Sequence, residues 1–266
     1  MQSLPGKIPM LLLLLCLSLP GTAQKDTLWN RTDGNGLKQG YWRKYYPDGR
    51  ILYRGYFVDN KPAGMMRRYY DNGNIKAELF YSGDTARATM YFRNGRKGAC
   101  GRYVRQERDS IWSYFSYYTG RLSCREHYRM GMKEGPTLNY FPGGNVAEIV
   151  NWSMDRRQGP WERFYEDSTL RLSAGYESDS LNGPYRLYSP NHVLILSGRY
   201  RNGRMEGDWK FYDDEGKLLH TLSYRNGELL NQAEMMNWAN EFIENAEKNQ
   251  GKFPEPDIGN FFEKSP

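Results

Sequence analysis

The chain has 266 residues, of which 39% are hydrophobic, 15% aromatic and 26% charged, with a formal net charge of +6. Tyr outnumbers Phe and Trp together, which suits thin sheets whose rings have one apolar side and one wet hydroxyl end and excludes a large spherical core. The positive excess is small, interspersed with acids and densest at Arg67-Arg68, Arg93 to Lys97 and Arg156-Arg157. Nucleic-acid binders concentrate their basic residues, so no nucleic-acid partner is expected.

Residues 1–23 read as a secretory leader: Lys7 in a short basic start, an apolar run from Ile8 to Leu19, then Pro20-Gly21-Thr22-Ala23 with small residues for cleavage. The run is short for a bilayer and nothing later is longer or more apolar, so an exported chain starting at Gln24, with no transmembrane span, is expected. Leu15 before Cys16 and the apolar run after it argue against a lipidation box. Loss of Lys7 takes the charge from +6 to +5.

After a short N-terminal segment, 24–35, one design repeats through residues 36–230. Six glycines, Gly40, Gly64, Gly135, Gly159, Gly183 and Gly207, head its clean copies, and neighbouring members begin 24 residues apart. A fixed period in this range means that each copy is a supersecondary unit completed by stacking on its neighbours. Counting from the heading glycine as zero, position 5 is Tyr45, Tyr69, Tyr140, Phe164, Tyr188 and Tyr212. Position 11 is Ile51, Ile75, Val146, Leu170, Leu194 and Leu218, and position 17 is Phe57, Tyr81, Trp152, Tyr176, Tyr200 and Tyr224. Period-two alternation puts positions 11, 15 and 17 on one face of a strand, and with position 5 they are expected to form one apolar spine. Positions 14 and 16, with Arg54, Glu78, Asn151, Ser173, Arg199 and Ser223, are expected to face water.

Turn signals divide each copy into two strands: Pro47-Asp48-Gly49, Asp71-Asn72-Gly73 and Asp214-Glu215-Gly216 in mid-copy, Asn202-Gly203 and Asn226-Gly227 at its end. The prediction is an all-β, elongated antiparallel β-hairpin meander. Residues 84–134 are degenerate. Asn94-Gly95 marks one drifted copy and Ile111 starts another, with Trp112 and Tyr117-Tyr118 one residue out of step, a slip to be absorbed by a bulge or an altered loop. Cys100 and Cys124, the two cysteines left after processing, stand one repeat apart. In regular hairpins such positions are about 9–10 Å apart, beyond the roughly 7 Å that a disulfide spans. Either the degenerate copies are remodelled to bridge them or both remain free thiols.

Residues 231–266 leave the repeat. Met235, Trp238, Ala239, Phe242, Ile243 and Ala246 follow helical spacing, with Asn231 and Glu234 placed as an N-cap and its partner three residues on, and Gly251 beyond the end. Such an amphipathic helix is expected to cap the last strand edge. Residues 252–266 are expected to run back as an extended segment.

The pattern Gly-x-Trp-x-x-Tyr-Tyr-x-Asp-Gly at Gly40 to Gly49, with Asn-Gly-x-x-x-Gly at Asn202 to Gly207, resembles the MORN-repeat variant of bacterial YwqK-type antitoxin-like proteins over roughly residues 36–230. The resemblance implies a twisted sheet of hairpins used as an interaction surface, without an enzymatic site or cofactor. His127, His192 and His220 fall in different copies without metal-ligand spacing, and neither a nucleophile elbow nor a phosphate loop is present. The function expected is an exported, non-enzymatic scaffold for a protein partner in the cell envelope or outside the cell, immunity-like in one form. The alternative is a surface glycan or envelope polymer bound by exposed Tyr and Trp. Burial of the rings at positions 2, 5 and 17 would argue for the protein partner, and flat exposed rings in register along a groove for the glycan.

Overall fold

The structure, a computed structural model, describes residues 28–249. The expected leader and the tail 252–266 lie outside the described residues. Between these limits the chain forms 21 strands and one helix, α1 (Gln232–Asn249). Every strand ladder is antiparallel and joins strands that follow one another in sequence, from Arg31–Thr32 on Lys38–Tyr45 to Glu228–Leu229 on Leu218–Arg225, except where a two-residue strand such as Met132–Lys133 intervenes. The result is the expected open meander of hairpins.

Local chemistry explains the punctuation. The mid-copy turns close as Gly49 N–H donates to the Tyr46 carbonyl and Tyr46 N–H to Arg50, at 3.0 and 2.7 Å. Between copies, paired left-handed residues such as Asp59 and Asn60, at φ 49° and 66°, make the two-residue turns whose twist matches the strands. The six heading glycines all have φ between 64° and 96°, a region that a side chain disfavours, which is why glycine heads the copies.

The middle of the chain holds two more hairpins, Thr85–Tyr91 with Lys97–Val104 and Glu107–Phe115 with Leu122–Arg129. Their heading positions are Ala86 and Ser110, so the spacing from Gly64 to Gly135 runs 22, 24 and 25 residues. The two-residue deletion falls before Ala86. The ladder from Ile75–Ser82 to Thr85–Tyr91 accordingly runs without a register shift, and Ala86 needs no left-handed backbone, whereas Ser110 keeps the glycine-like geometry at φ 59°. The extra residue enters the turn closed by Ser116 N–H to Arg121 and Gly120 N–H to Ser116. An altered loop absorbs the slip.

The expected apolar spine is corrected by a bulge that recurs in all eight hairpins. In the first, Lys44 stands opposite Tyr53 but Tyr45 stands opposite Ile51, and the same shift occurs in the other seven. The unpaired residue at position 12 breaks the alternation. Positions 13, 15 and 17 therefore share a face with position 2, while positions 5 and 11 lie on the other face with 1, 3, 14 and 16. Contacts agree: the Arg54 guanidinium lies 5.8 Å from the Tyr69 ring, and Ser197 Oγ is 3.4 Å from Tyr212 Oη, pairing position 14 with position 5 of the next copy.

The core is a stripe along the first of these faces. All eleven buried apolar residues lie on it, among them Phe57, Ala77, Trp112, Leu172, Trp209 and Leu222. Among the described residues only α1, at the last hairpin, lies over this face, and elsewhere burial comes from large side chains lying on small ones across the ladder. Trp112 covers Gly101, Trp209 covers Gly198 and Met66 covers Gly55. Cations two residues before the heading position close the stripe at one side, with Lys133 Nζ 4.6 Å from the Trp152 ring and the Arg157 guanidinium 4.3 Å from Tyr176.

No disulfide joins Cys100 and Cys124, which are free and half-buried. Cys100 pairs with Ser113 on the open face, while Cys124 pairs with Tyr114 on the buried face. A strand and the sheet itself separate the two thiols, so the middle copies are not remodelled towards a bridge.

The C-terminal helix forms but does its capping elsewhere than expected. Trp238 packs on Phe211 and His220, at ring separations of 5.0 and 5.3 Å, so α1 covers the buried face of the last hairpin and not its edge. The edge is closed by Glu228–Leu229 and by Asn231, which occupies the ninth heading position. Its side chain accepts from Ser223 N–H and donates to the Thr221 carbonyl, both at 2.8 Å. Only the Asn231 carbonyl serves the helix start, and Glu234 turns to His220, 3.7 Å away, without closing a capping box. Asn30 does the same at the opposite edge: its N–H donates to Tyr41 and its side-chain oxygen accepts from Arg43 N–H.

Candidate interaction surface

The open face of the first two copies carries a run of exposed apolar side chains that is continuous there and only scattered farther along the array. Along the open face Trp29 stands beside Tyr41 and Tyr41 opposite Tyr56; a register shift then sets Ala63 opposite Tyr56, and two residues on Met65 stands opposite Phe80. Tyr41, Tyr56, Met65 and Phe80 are 40–50% exposed. At the same positions later copies have Pro136, Asn151, Pro160, Gly175 and Pro184, with Ile111, 49% exposed, as an isolated exception, and the line from Phe80 continues as Arg87 and Arg102. Contiguous exposed apolar surface of this kind marks an interaction site.

A second line runs parallel to it through Arg43, Arg54, Arg67 and Glu78. Arg67 and Glu78 form an ion pair at 2.8 Å, and Tyr91 donates to the same carboxylate at 2.9 Å. The Arg67 guanidinium and that hydroxyl hold the Glu78 carboxyl below its usual range. Arg43 and Arg54 have no carboxylate partner among the described residues. They lie instead over rings, Arg43 at 4.9 Å from Trp29 and Arg54 at 5.8 Å from Tyr69. Residues 38–70 hold eight Lys or Arg against two Asp. The surface is apolar, aromatic and basic at once.

Of the rings expected to decide between partners, those at positions 2, 5 and 17 are buried or half-buried in every clean copy except Tyr45. Exposed rings stand instead at position 1 (Tyr41), at position 16 (Tyr56 and Phe80), which was expected to be polar and wet, and in the middle turn at Tyr117 and Tyr118. Tyr56 and Phe80 at position 16 were the available signal, outweighed by the polar residues there in later copies. The landmark glycines and position-5 rings hold the scaffold and converge on no site. His127, His192 and His220 remain in separate copies, with His127 Nδ1 2.6 Å from the Pro136 carbonyl. Among the described residues no three His, Cys, Asp or Glu side chains gather to hold a metal, and no described helix is long and apolar enough to cross a membrane.

Three segments, residues 38–59, 63–82 and 205–234, match the family model described as MORN repeat variant. No curated protein matches the chain. Among solved structures, a chain of one titled "Crystal Structure of TcdB2-TccC3-Cdc42" aligns at 13% identity and a TM-score of 0.19, covering 70% of this chain. The present chain spans 12% of that chain's length, and a score at this level carries no argument about fold or function. The matched segments are the first, second and last copies of the array, and they support the MORN-repeat family for this chain.

Proposed function

We propose that this chain is an exported, non-enzymatic scaffold that binds a protein partner in the envelope or outside the cell through the open face of its first two copies. The observation that carries the reading is the Tyr41, Tyr56, Met65 and Phe80 line beside the uncompensated Arg43 and Arg54. Aromatic and Arg side chains are those enriched at protein interfaces. A glycan would stack on flat open rings, but Tyr41 and Tyr56 meet edge to face, 5.1 Å apart at 80°, so each consumes part of its neighbour's surface. Cleavage after Ala23, which the leader-like residues 1–23 suggest, and an immunity-like role, the form the YwqK-type antitoxin resemblance takes for an exported chain, belong to the same proposal.

The test is an affinity pull-down from the native envelope with the chain from Gln24 onward, and with Tyr56→Glu/Phe80→Glu. Both positions are exposed, so the variant should keep the wild-type circular dichroism and denaturation midpoint while losing the captured protein. Capture unchanged by the double variant would refute this surface. Binding of envelope polysaccharide in place of protein, lost in the same variant, would establish the glycan reading.

A further inference from the structure

The two ends of the array carry opposite charge and each leaves apolar surface open. Helix α1 uses Trp238 to dock, and its opposite side presents Met236 and Ile243, 66% and 54% exposed. At 100° per residue these two and Glu247 share a stripe about 180° from Trp238, with Glu244 flanking it. The helix holds four Glu against one Lys, and the last copy, 207–231, holds five acids against three bases. The first two copies hold the complementary set: exposed Tyr, Met and Phe with Arg43 and Arg54 free of carboxylates.

Strand addition at these ends is obstructed, because Asn30 occupies Arg43 N–H and the Tyr41 carbonyl, and Asn231 occupies Ser223 N–H and the Thr221 carbonyl, on the outward edges of the two outer strands. A face-to-helix contact meets no such block. We infer that the partner seated on the open face of the first two copies is helix α1 of a second copy of this chain, so that molecules associate head to tail. This rests on the interaction surface proposed above and names its occupant. Met236 and Ile243 would lie along the Tyr56, Met65 and Phe80 line, with Glu244 and Glu247 reaching Arg54 and Arg43. Because two different surfaces meet, a joined pair keeps one free face and one free helix, and the contact repeats into chains, or into a ring where the rotation closes. Its ionic part weakens with salt.

Sedimentation over a dilution series of the chain from Gln24 onward tests this, with Phe80→Glu blocking the face and Ile243→Glu blocking the helix, both at exposed positions. The wild type should pass the mass of a dimer as concentration rises, and should retreat towards monomer in high salt. Each variant alone should stay monomeric. An equimolar mixture of the two should give dimers and nothing larger, because one intact face meets one intact helix. Arg43→Glu/Arg54→Glu should weaken association at least about tenfold, and adding Glu244→Arg/Glu247→Arg should restore it. A wild type that is monomeric throughout, either blocked variant assembling normally, or a mixture that stays monomeric overturns the inference. If the wild type is monomeric while Phe80→Glu still strips a different protein from the pull-down, the second copy is excluded and the interaction surface stands. If chains form but Phe80→Glu leaves them intact, both readings of this face fail together.

Discussion

At Gly198 a β-carbon would stand 2.3 Å from the Trp209 ring, and at Gly101 one would stand 2.4 Å from Trp112. Glycine is needed at these two positions for space and not for backbone conformation, because the indole lies directly on the neighbouring strand. Gly198→Ala or Gly101→Ala should lower stability by about 1–3 kcal/mol, the range for overpacking. Gly143→Ala, with open space around it, should shift the midpoint by no more than about 0.5 kcal/mol. Equal denaturation midpoints for all three would show that the rings are free to move. The buried face also holds a charge, Glu126, 2.6 Å from Lys133 Nζ and accepting from Tyr128 Oη at 2.7 Å. Burial pushes its carboxyl up, but Lys133 and Tyr128 outweigh this and hold it below its ordinary 4.5. A depressed carboxyl contributes fully above the unfolded value and loses that contribution as pH falls through the folded one. Glu126→Gln should therefore be less stable than wild type near neutral pH, with the difference shrinking as acid is added below pH 4.5. A gap that stays constant between neutral pH and pH 3 would contradict this. Burial pushes the neighbouring Cys124 thiol up to about 11, so its alkylation near pH 8 should be slow in the folded chain and fast once unfolded.

Within the hairpin, the bulge at position 12 decides which leucines matter. Leu222 is 2% exposed and Leu218 is 48% exposed, although the two are four residues apart on one strand and strict alternation would put them on one face. Leu222→Ala should cost about 2–5 kcal/mol, and Leu218→Ala less than about 1 kcal/mol. The reverse order would restore the spine of positions 5, 11 and 17. Asn231 acts at the next element boundary. Its side chain stands in for the strand that a further copy would supply, so Asn231→Ala should open the edge, with faster hydrogen exchange at Ser223 and more aggregation, while exchange near residues 40–80 is unchanged. Uniformly faster exchange would mean that the array does not open locally. The start of the helix was legible from Asn231 and the spacing that includes Trp238, while the stop expected at Gly251 lies outside the described residues. The role of Asn231 was not, because a side chain that caps a helix and one that caps a sheet edge have the same chemistry.

At the scale of the molecule, eight hairpins give sixteen long strands. Spaced at about 4.8 Å they extend over roughly 75 Å, whereas a compact chain of this length has a radius of gyration near 18 Å. Small-angle scattering on a monomeric, dilute sample should give a value above that, with an elongated distance distribution. A value at or below 18 Å would mean that the sheet closes on itself. The separation of charge along this length, basic at the first copies and acidic at α1, follows from the same openness. In a folded-back domain the two ends would neutralise one another.

The amino-acid sequence by itself determined the period, the hairpins and their turns, because Gly, Asn and Asp are required wherever the backbone is left-handed, and those positions recur. It also determined the existence of α1, from the spacing of its apolar residues. Only the tertiary structure decided which side of each strand is buried, since one unpaired residue per hairpin reverses the alternation and a bulge leaves no residue-type signature at position 12. It likewise decided that Cys100 and Cys124 lie on opposite faces, and that Tyr41, Tyr56, Met65 and Phe80, scattered over forty residues of chain, form one exposed line. Adjacency across strands is set by register, and register is a property of the paired strands together.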